Sequence, residues 1–282
     1  MREIDYELCD VFTDRPLAGN ALAVFTDADE IDGATMQALA RETNLSESAF
    51  VLRASHAGAD AAIRIFTPTM ELPFAGHPTL GTAFVLSARD QRNVIKLETG
   101  RGVVTVSLSR EDGRPGFGWM TQPLPRIEPY REAPALMTAL GVSGSNLPVD
   151  LYDNGPQYVY VGLERPEDVA ALTPDLTRLA ALGSTGFSVF ARNGSTWKCR
   201  VFAPGEGIPE DPATGAAAGP LAVHLARYGR IAFGDEIVIA QGIEIGRPST
   251  LHARIRGTRD RLDSVEVGGH AVIVGHGTFR LS

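Results

Sequence analysis

Apolar and polar residues alternate in short runs along much of this chain, and proline or glycine closes many of the runs. Period-two alternation marks strands with one buried face. Short apolar runs of strand length predict strands at Ala21-Leu22-Ala23-Val24-Phe25, Ala49-Phe50-Val51-Leu52 and Tyr158-Val159-Tyr160-Val161. Strand pairs are expected where Val94-Ile95-Lys96-Leu97-Glu98 meets Val103–Leu108 across Thr99-Gly100-Arg101-Gly102, and where Glu236–Ala240 meets Ile243-Glu244-Ile245 across Gln241-Gly242. Another pair is expected from Val265-Glu266-Val267 through Ala271-Val272-Ile273-Val274. Helical spacing is rarer. Asp32–Glu42 is amphipathic and stops before Thr43-Asn44, and Ala133–Leu140 runs into Gly141 as a C-cap.

The order of these elements occurs twice. Arg64-Ile65-Phe66-Thr67-Pro68 reappears as Arg200-Val201-Phe202-Ala203-Pro204, a short strand stopped by a proline that removes a ladder donor. An acidic, proline-bearing loop follows each, Glu71-Leu72-Pro73 and then Pro209-Glu210-Asp211-Pro212. Small residues come next, Gly76–Ala83 and Ala213–Gly219, and run into Phe84-Val85-Leu86 and Leu221–Ala226. A hairpin follows each helix. Such an ordered repeat indicates two homologous halves joined in the Pro-rich stretch Pro123–Pro134. The expected lobes are 1–125, with a strand returning from 265–282, and 126–264.

Both small-residue helices lack a polar face, so each is buried on all sides. A strongly curved sheet wrapped around a central helix in each half meets that requirement; an ordinary two-layer lobe is the alternative. The class is α+β with two pseudo-symmetric lobes.

Composition narrows the function. The 282 residues suit two lobes, and the net charge of −8 disfavours nucleic acid or an anionic membrane as partner. Cys9 and Cys199 have neither metal spacing nor a disulfide framework, which suits a reducing compartment. The first residues have no apolar stretch of signal-peptide length, and no run approaches the ~18 apolar residues of a membrane span, so a soluble cytoplasmic protein is expected.

Duplicated proteins favour sites in the cleft between halves, where matching loops meet. His77 stands at one helix start, with Pro78 suited to the first helical position, and Asp211-Pro212 precedes the other at Ala213-Thr214-Gly215. Free N–H groups and the positive dipole end at such starts hold a carboxylate without arginine. In Asn44-Leu45-Ser46-Glu47-Ser48, partial burial would tune Glu47 for proton transfer. The spacing fits a solvated turn equally well. His77 alone reads as structural and Asp211 alone as a helix cap. There is no P-loop, dinucleotide fingerprint or Gly-x-Ser-x-Gly elbow, and His270 and His276 lack the partners of a metal site. Glu, His and Asp with no cofactor and no metal suit proton abstraction and return.

The chain resembles the PhzF family of phenazine-biosynthesis isomerases, within the group that has the diaminopimelate epimerase-like fold. The resemblance rests on Pro16-Leu17-Ala18-Gly19-Asn20, Asn44–Ser48, Arg64–Pro68, Glu71–Pro78, Asp153-Asn154-Gly155-Pro156, Glu210–Gly215, Leu221–Arg227 and Gln241–Ser249. It implies a homodimeric enzyme that converts trans-2,3-dihydro-3-hydroxyanthranilate to an aminoketone, moving a proton from C3 to C1. It also implies that Glu47 is the base, that His77 and Asp211 hold the substrate's polar groups, and that Gly76, Gly215 and Ala216 supply N–H contacts. Asn20, Ser46 and Thr214 fall among the implied binding residues. Two features depart from related enzymes. The two-base epimerases of this fold carry a cysteine in each half, but Ala75 precedes Gly76-His77 and no cysteine lies near Asp211. Ala216 also stands where phenazine enzymes tend to have serine. A related isomerase acting on another unsaturated amino acid, and an inactive small-acid binding protein, are the competing readings.

Overall fold

The computed structural model describes residues 2–281. The chain forms two compact units, Met1–Thr121 with Gly268–Ser282, and Gln122–Val267.

The first unit opens with β1 (Arg2–Val11), β2 (Asn20–Phe25), α1 (Gly33–Thr43), β3 (Glu47–Leu52), β4 (Ala61–Phe66) and the short β5 (Glu71–Leu72). It continues through α2 (Gly76–Asp90), β6 (Val94–Thr99), β7 (Gly102–Glu111) and β8 (Arg114–Gln122). β2 lies parallel to β3 and β4 parallel to β6, while β1–β2, β3–β4, β6–β7 and β7–β8 are antiparallel. The C-terminal strand pairs with both β1 and β8 and closes these strands into a barrel. Inside runs α2, buried from Gly76 through Val85. Its small residues are a packing requirement: a Cβ on Gly81 would come within 2.7 Å of Leu22 and Val11. Outside, α1 lays Met36, Leu39 and Ala40 over Phe25, Phe50 and Phe66. Phe25 and Phe50 stack at 4.5 Å, and Phe66 meets Phe50 edge-on, a geometry that adds roughly 0.5–1.5 kcal/mol per pair beyond burial.

The second unit repeats the plan with β9 (Arg126–Pro129), α3 (Ala133–Leu140), β10 (Asp150–Asp153), β11 (Gln157–Gly162), α4 (Pro166–Ala170) and α5 (Leu176–Ala180). Then come β12 (Gly186–Asn193), β13 (Thr196–Ala203), β14 (Ile208–Asp211), α6 (Gly215–Arg227), β15 (Glu236–Gln241) and β16 (Ser249–Gly257), followed by β17 (Leu262–Leu281), which belongs to the first unit from Gly268 onward. The parallel pairs are β11–β12 and β13–β15, in the same places as in the first unit. α6 is buried from Gly215 to Ala226. Residues of α3, α4 and α5 cover the opposite sheet face around Leu136, Val169, Leu179 and Phe187.

The internal repeat is visible as one clamp built twice. Arg64 makes a bidentate pair with Glu71 across β4–β5, with its guanidinium 5.1 Å from the Phe66 ring. Arg200 does the same with Glu210 across β13–β14, 5.0 Å from Phe202. Three expectations are corrected. Ile243–Ile245 is a turn, not a strand; Gly242 at φ +76 opens a loop closed by Arg247 N–H bonding Gly242 O. The expected pair after Val265 is one continuous strand, β17, whose two glycines at 268 and 269 are accommodated without a turn. Pro78 is the third residue of α2, not the first; its missing N–H costs nothing anywhere in the first turn.

Candidate active site

In the first unit the parallel pairing sets Leu22 opposite Glu47. Asn20 and Glu47 therefore begin neighbouring strands at the same end of the barrel. α2 starts with Gly76 and His77 after Ala75, which offers no capping side chain. Asn20, Glu47 and His77 are all buried. Asn20 Nδ2 lies 3.2 Å from His77 Nδ1, and Glu47 Oε2 lies 3.4 Å from the same nitrogen.

Burial pushes the His77 pKa down to about 3, so the ring is neutral near neutral pH. With Asn20 donating to Nδ1, the ring proton is assigned to Nε2. That Nε2 is buried and finds no hydrogen-bond partner among the described residues. An Nδ1 that accepts cannot also donate to Glu47. Ser46 sits half-buried in the bend before β3.

In the second unit, Thr214 is the N-cap residue of α6. Its hydroxyl donates to Asp211 Oδ2 at 2.6 Å, so Asp211 holds the cap residue and is not itself the cap. Asp211 is buried, as are Gly215 and Ala216 in the first turn. Gln241, at the end of β15, locks this corner. Its Nε2 donates to Asp211 O at 2.8 Å and to Thr214 Oγ1 at 2.9 Å, while its Oε1 accepts from Thr214 N at 3.2 Å. Burial, followed by the charge of Asp211, pushes the Glu206 carboxyl above its ordinary range.

Gln241 and Asn154 escaped notice as site-supporting residues in the sequence, although both lie in quoted motifs. Asn154 had a readable signal. Pro220 inside α6 has no N–H for the carbonyl four residues back, which is Ala216. Asn154 Nδ2 supplies that donor at 2.9 Å. Gln122 carries no such signal.

Among the described residues no group of three or more His, Cys, Asp or Glu is placed to hold a metal ion. Burial raises the Cys9 thiol far above its usual range and Cys199 to about 12, so neither is a thiolate near neutral pH. His270 packs edge-on against Phe117, with Nδ1 3.0 Å from Gly116 O, a structural placement. A cavity of about 620 Å³ in the second unit, lined by Leu140–Asn146, Gly162–Glu164 and Asp168–Thr173 residues, contains none of the candidate side chains. The first unit thus offers a buried carboxylate beside a neutral imidazole, and the second a buried carboxylate beside a helix start whose Gly215 and Ala216 N–H groups have no acceptor within the helix. These are the parts of proton transfer with anion binding.

A family model described as phenazine biosynthesis-like protein matches residues 9–277. The trans-2,3-dihydro-3-hydroxyanthranilate isomerase of Pseudomonas aeruginosa is 47% identical over 272 residues, covering 96% of this chain and 98% of that protein. A solved structure described as a predicted epimerase from Pseudomonas aeruginosa superposes with a TM-score of 0.83 at 31% identity, covering 99% of this chain and all of the other. A Bacillus anthracis phenazine biosynthesis protein of the PhzF family reaches a TM-score of 0.85 at 23% identity over the full length of both, which establishes a shared fold.

Proposed function

This chain belongs to the phenazine biosynthesis-like (PhzF) family and is an isomerase, and from that premise we propose that its substrate is trans-2,3-dihydro-3-hydroxyanthranilate. The observation that carries the chemistry is the buried Glu47 carboxylate 3.4 Å from a neutral His77. Glu47 takes the proton from C3 of the ring. The electron pair left by that C–H bond enters the ring and shifts the double bonds. Glu47 then returns a proton at C1, and the enol tautomerises to the aminoketone. Nothing is oxidised or reduced, so the reaction balances without a cofactor.

His77 supports both halves of this transfer. Its Nδ1, held by Asn20, keeps the ring proton on Nε2, and that buried Nε2–H donates to a substrate oxygen. Asp211 holds the substrate's amino group. The free N–H groups of Gly76, Gly215 and Ala216 bind the carboxylate, with Asn20, Ser46 and Thr214 completing the polar lining. The pairing of Asp211 with Thr214 supports this assignment, because it fixes the carboxylate against the helix start. The enzyme acts as a homodimer in the cytoplasm. The two buried free cysteines support the compartment, and light scattering would measure the assembly. Among the described residues no helix is long and apolar enough to cross a membrane.

The test is incubation of the purified enzyme with the dihydro-hydroxyanthranilate in D2O. Consumption of substrate is expected, with deuterium at C4, where the enol takes a solvent proton, and at C1 to the extent that Glu47 exchanges its proton with solvent before returning it. A second reading, an isomerase for another unsaturated amino acid, draws on Ala216, which leaves the second position of α6 without a hydroxyl. Absence of turnover with deuterium incorporation into other unsaturated amino acids would establish it instead.

A further inference from the structure

We propose that Gln122 is a positioning residue, which aims the Ala216 N–H at the substrate's carboxylate; this rests on the anion-binding role given above to the start of α6. Gln122 ends β8, is buried, and donates from Nε2 to Gly215 O at 2.8 Å. By the α-helical pattern that carbonyl already accepts from the N–H of Gly219. The helix therefore does not need Gln122 to satisfy the carbonyl.

What the bond does is act on a peptide plane. Gly215 C=O and Ala216 N–H are the two ends of one amide. In a helix the carbonyl points toward the C-terminus and the N–H toward the open N-terminal end. A donor on the oxygen fixes the tilt of the plane and polarises the N–H at the other end. The two following carbonyls also receive side-chain donors, Ala216 O from Asn154 and Ala217 O from Tyr160 at 2.7 Å. The N–H groups of those amides are different. Ala217 N–H and Ala218 N–H both bond Thr214 O, at 3.0 and 3.1 Å, so neither is free for a ligand. Among these three braced amides, only the one held by Gln122 has an N–H without an acceptor inside the helix.

The chain also gives things up to keep Gln122 there. Gln122 Oε1 is buried with no hydrogen-bond partner among the described residues. The room it occupies exists because position 219 is glycine. A Cβ there would stand 2.3 Å from Gln122 Oε1 and 2.5 Å from Val265 Cγ1. Glycine in a helix interior and an unsatisfied amide oxygen are both unfavourable. A role in aiming the N–H explains why both are retained.

The test compares wild type with Gln122→Met, which keeps the length of the side chain and removes the donor. Anthranilate serves as the binding probe, because it carries the ring and the carboxylate but cannot react. About a tenfold weaker anthranilate Kd is expected, the size of one hydrogen bond. KM should rise with it and kcat change less, and the Ala216 amide proton should shift upfield in the free variant. A merely structural glutamine would lower the melting temperature and leave Kd, KM and the Ala216 resonance of the folded enzyme in place; that result overturns the proposal. Should Gln122→Met not fold, wild type alone decides. Its Ala216 amide must move downfield when anthranilate binds, and an amide that ignores the ligand overturns the proposal. Wild type that never converts the dihydro-hydroxyanthranilate but shows the anthranilate effects would contradict the substrate assignment and leave the role of Gln122 standing.

Discussion

Acid should unfold this protein through its buried histidines before its carboxylates protonate, and His224 gives the cleaner test. It lies on α6, fully buried among Tyr152, Tyr160, Phe190 and Tyr228. Tyr152 Oη is 3.0 Å from Nδ1, and Nε2 has no partner among the described residues. Burial, aided by Arg227, lowers its pKa to about 3, as burial does for His77. An unfolded histidine titrates near pH 6.5. Between those values the unfolded chain binds a proton that the folded one refuses, so stability is complete above about pH 6.5 and is lost as pH falls toward 3. From pH 7 to pH 5 the loss is about 2 kcal/mol per histidine. That figure depends on the unfolded pKa alone once the folded value lies well below 5. His77 and His224 together should therefore remove about 4 kcal/mol over this range, and His224→Phe about half of that. Phenylalanine keeps the ring and strands the Tyr152 hydroxyl, a penalty that is the same at every pH and cancels in the slope. Glu206, raised by burial, acts in the opposite sense in both proteins and cancels as well. Urea unfolding at pH 7, 6 and 5 measures the slope. Parallel stability curves for wild type and His224→Phe would refute the reasoning.

Three further substitutions test the packing that supports the candidate site. Asn154→Leu removes the donor that compensates for Pro220 and leaves Ala216 O buried without it; a loss of about 1–3 kcal/mol is expected in denaturant titration. The repeated clamp allows a comparison of the same ion pair at two depths of burial. Arg200→Met leaves Glu210 with only 11% of its side chain exposed and removes bonds to the carbonyls of Val169, Ala170 and Leu172, so a loss of about 3–5 kcal/mol is expected. Arg64→Met acts on a pair with 37% and 43% of the side chains exposed and should cost about 1 kcal/mol or less. Equal losses at the two clamps would contradict the burial argument.

Much of the architecture was legible because the chain states it twice. Arg64–Pro68 and Arg200–Pro204 led to two central helices, and the clamps Arg64–Glu71 and Arg200–Glu210 show the same plan in three dimensions. Helices without a polar face were read as buried, and both are. The misreadings have local causes. Ile243 and Ile245 have a strand's alternation, yet both are exposed in a turn. Alternation reports which faces differ, and glycine at 242 and 246 decided the backbone. Glu47 was legible as a candidate but not as buried, because its burial comes from β2 and α2, which are distant in sequence. Gln122 and Gln241 act through long-range contacts with the start of α6, and His224 through contacts of that helix with Tyr152 and Tyr160. A local pattern cannot show those, although Pro220 did announce the need that Asn154 meets.

The account stands most directly on Glu47. The decisive measurement is turnover of trans-2,3-dihydro-3-hydroxyanthranilate deuterated at C3 by Glu47→Gln beside wild type, with anthranilate binding as the control for an intact site. The glutamine keeps the shape and removes the base. Loss of turnover by a factor of about 10²–10⁴, the usual contribution of a positioned base, with anthranilate Kd within a few-fold of wild type, is the predicted result. Turnover and deuterium transfer at the wild-type rate in a folded Glu47→Gln enzyme would contradict it.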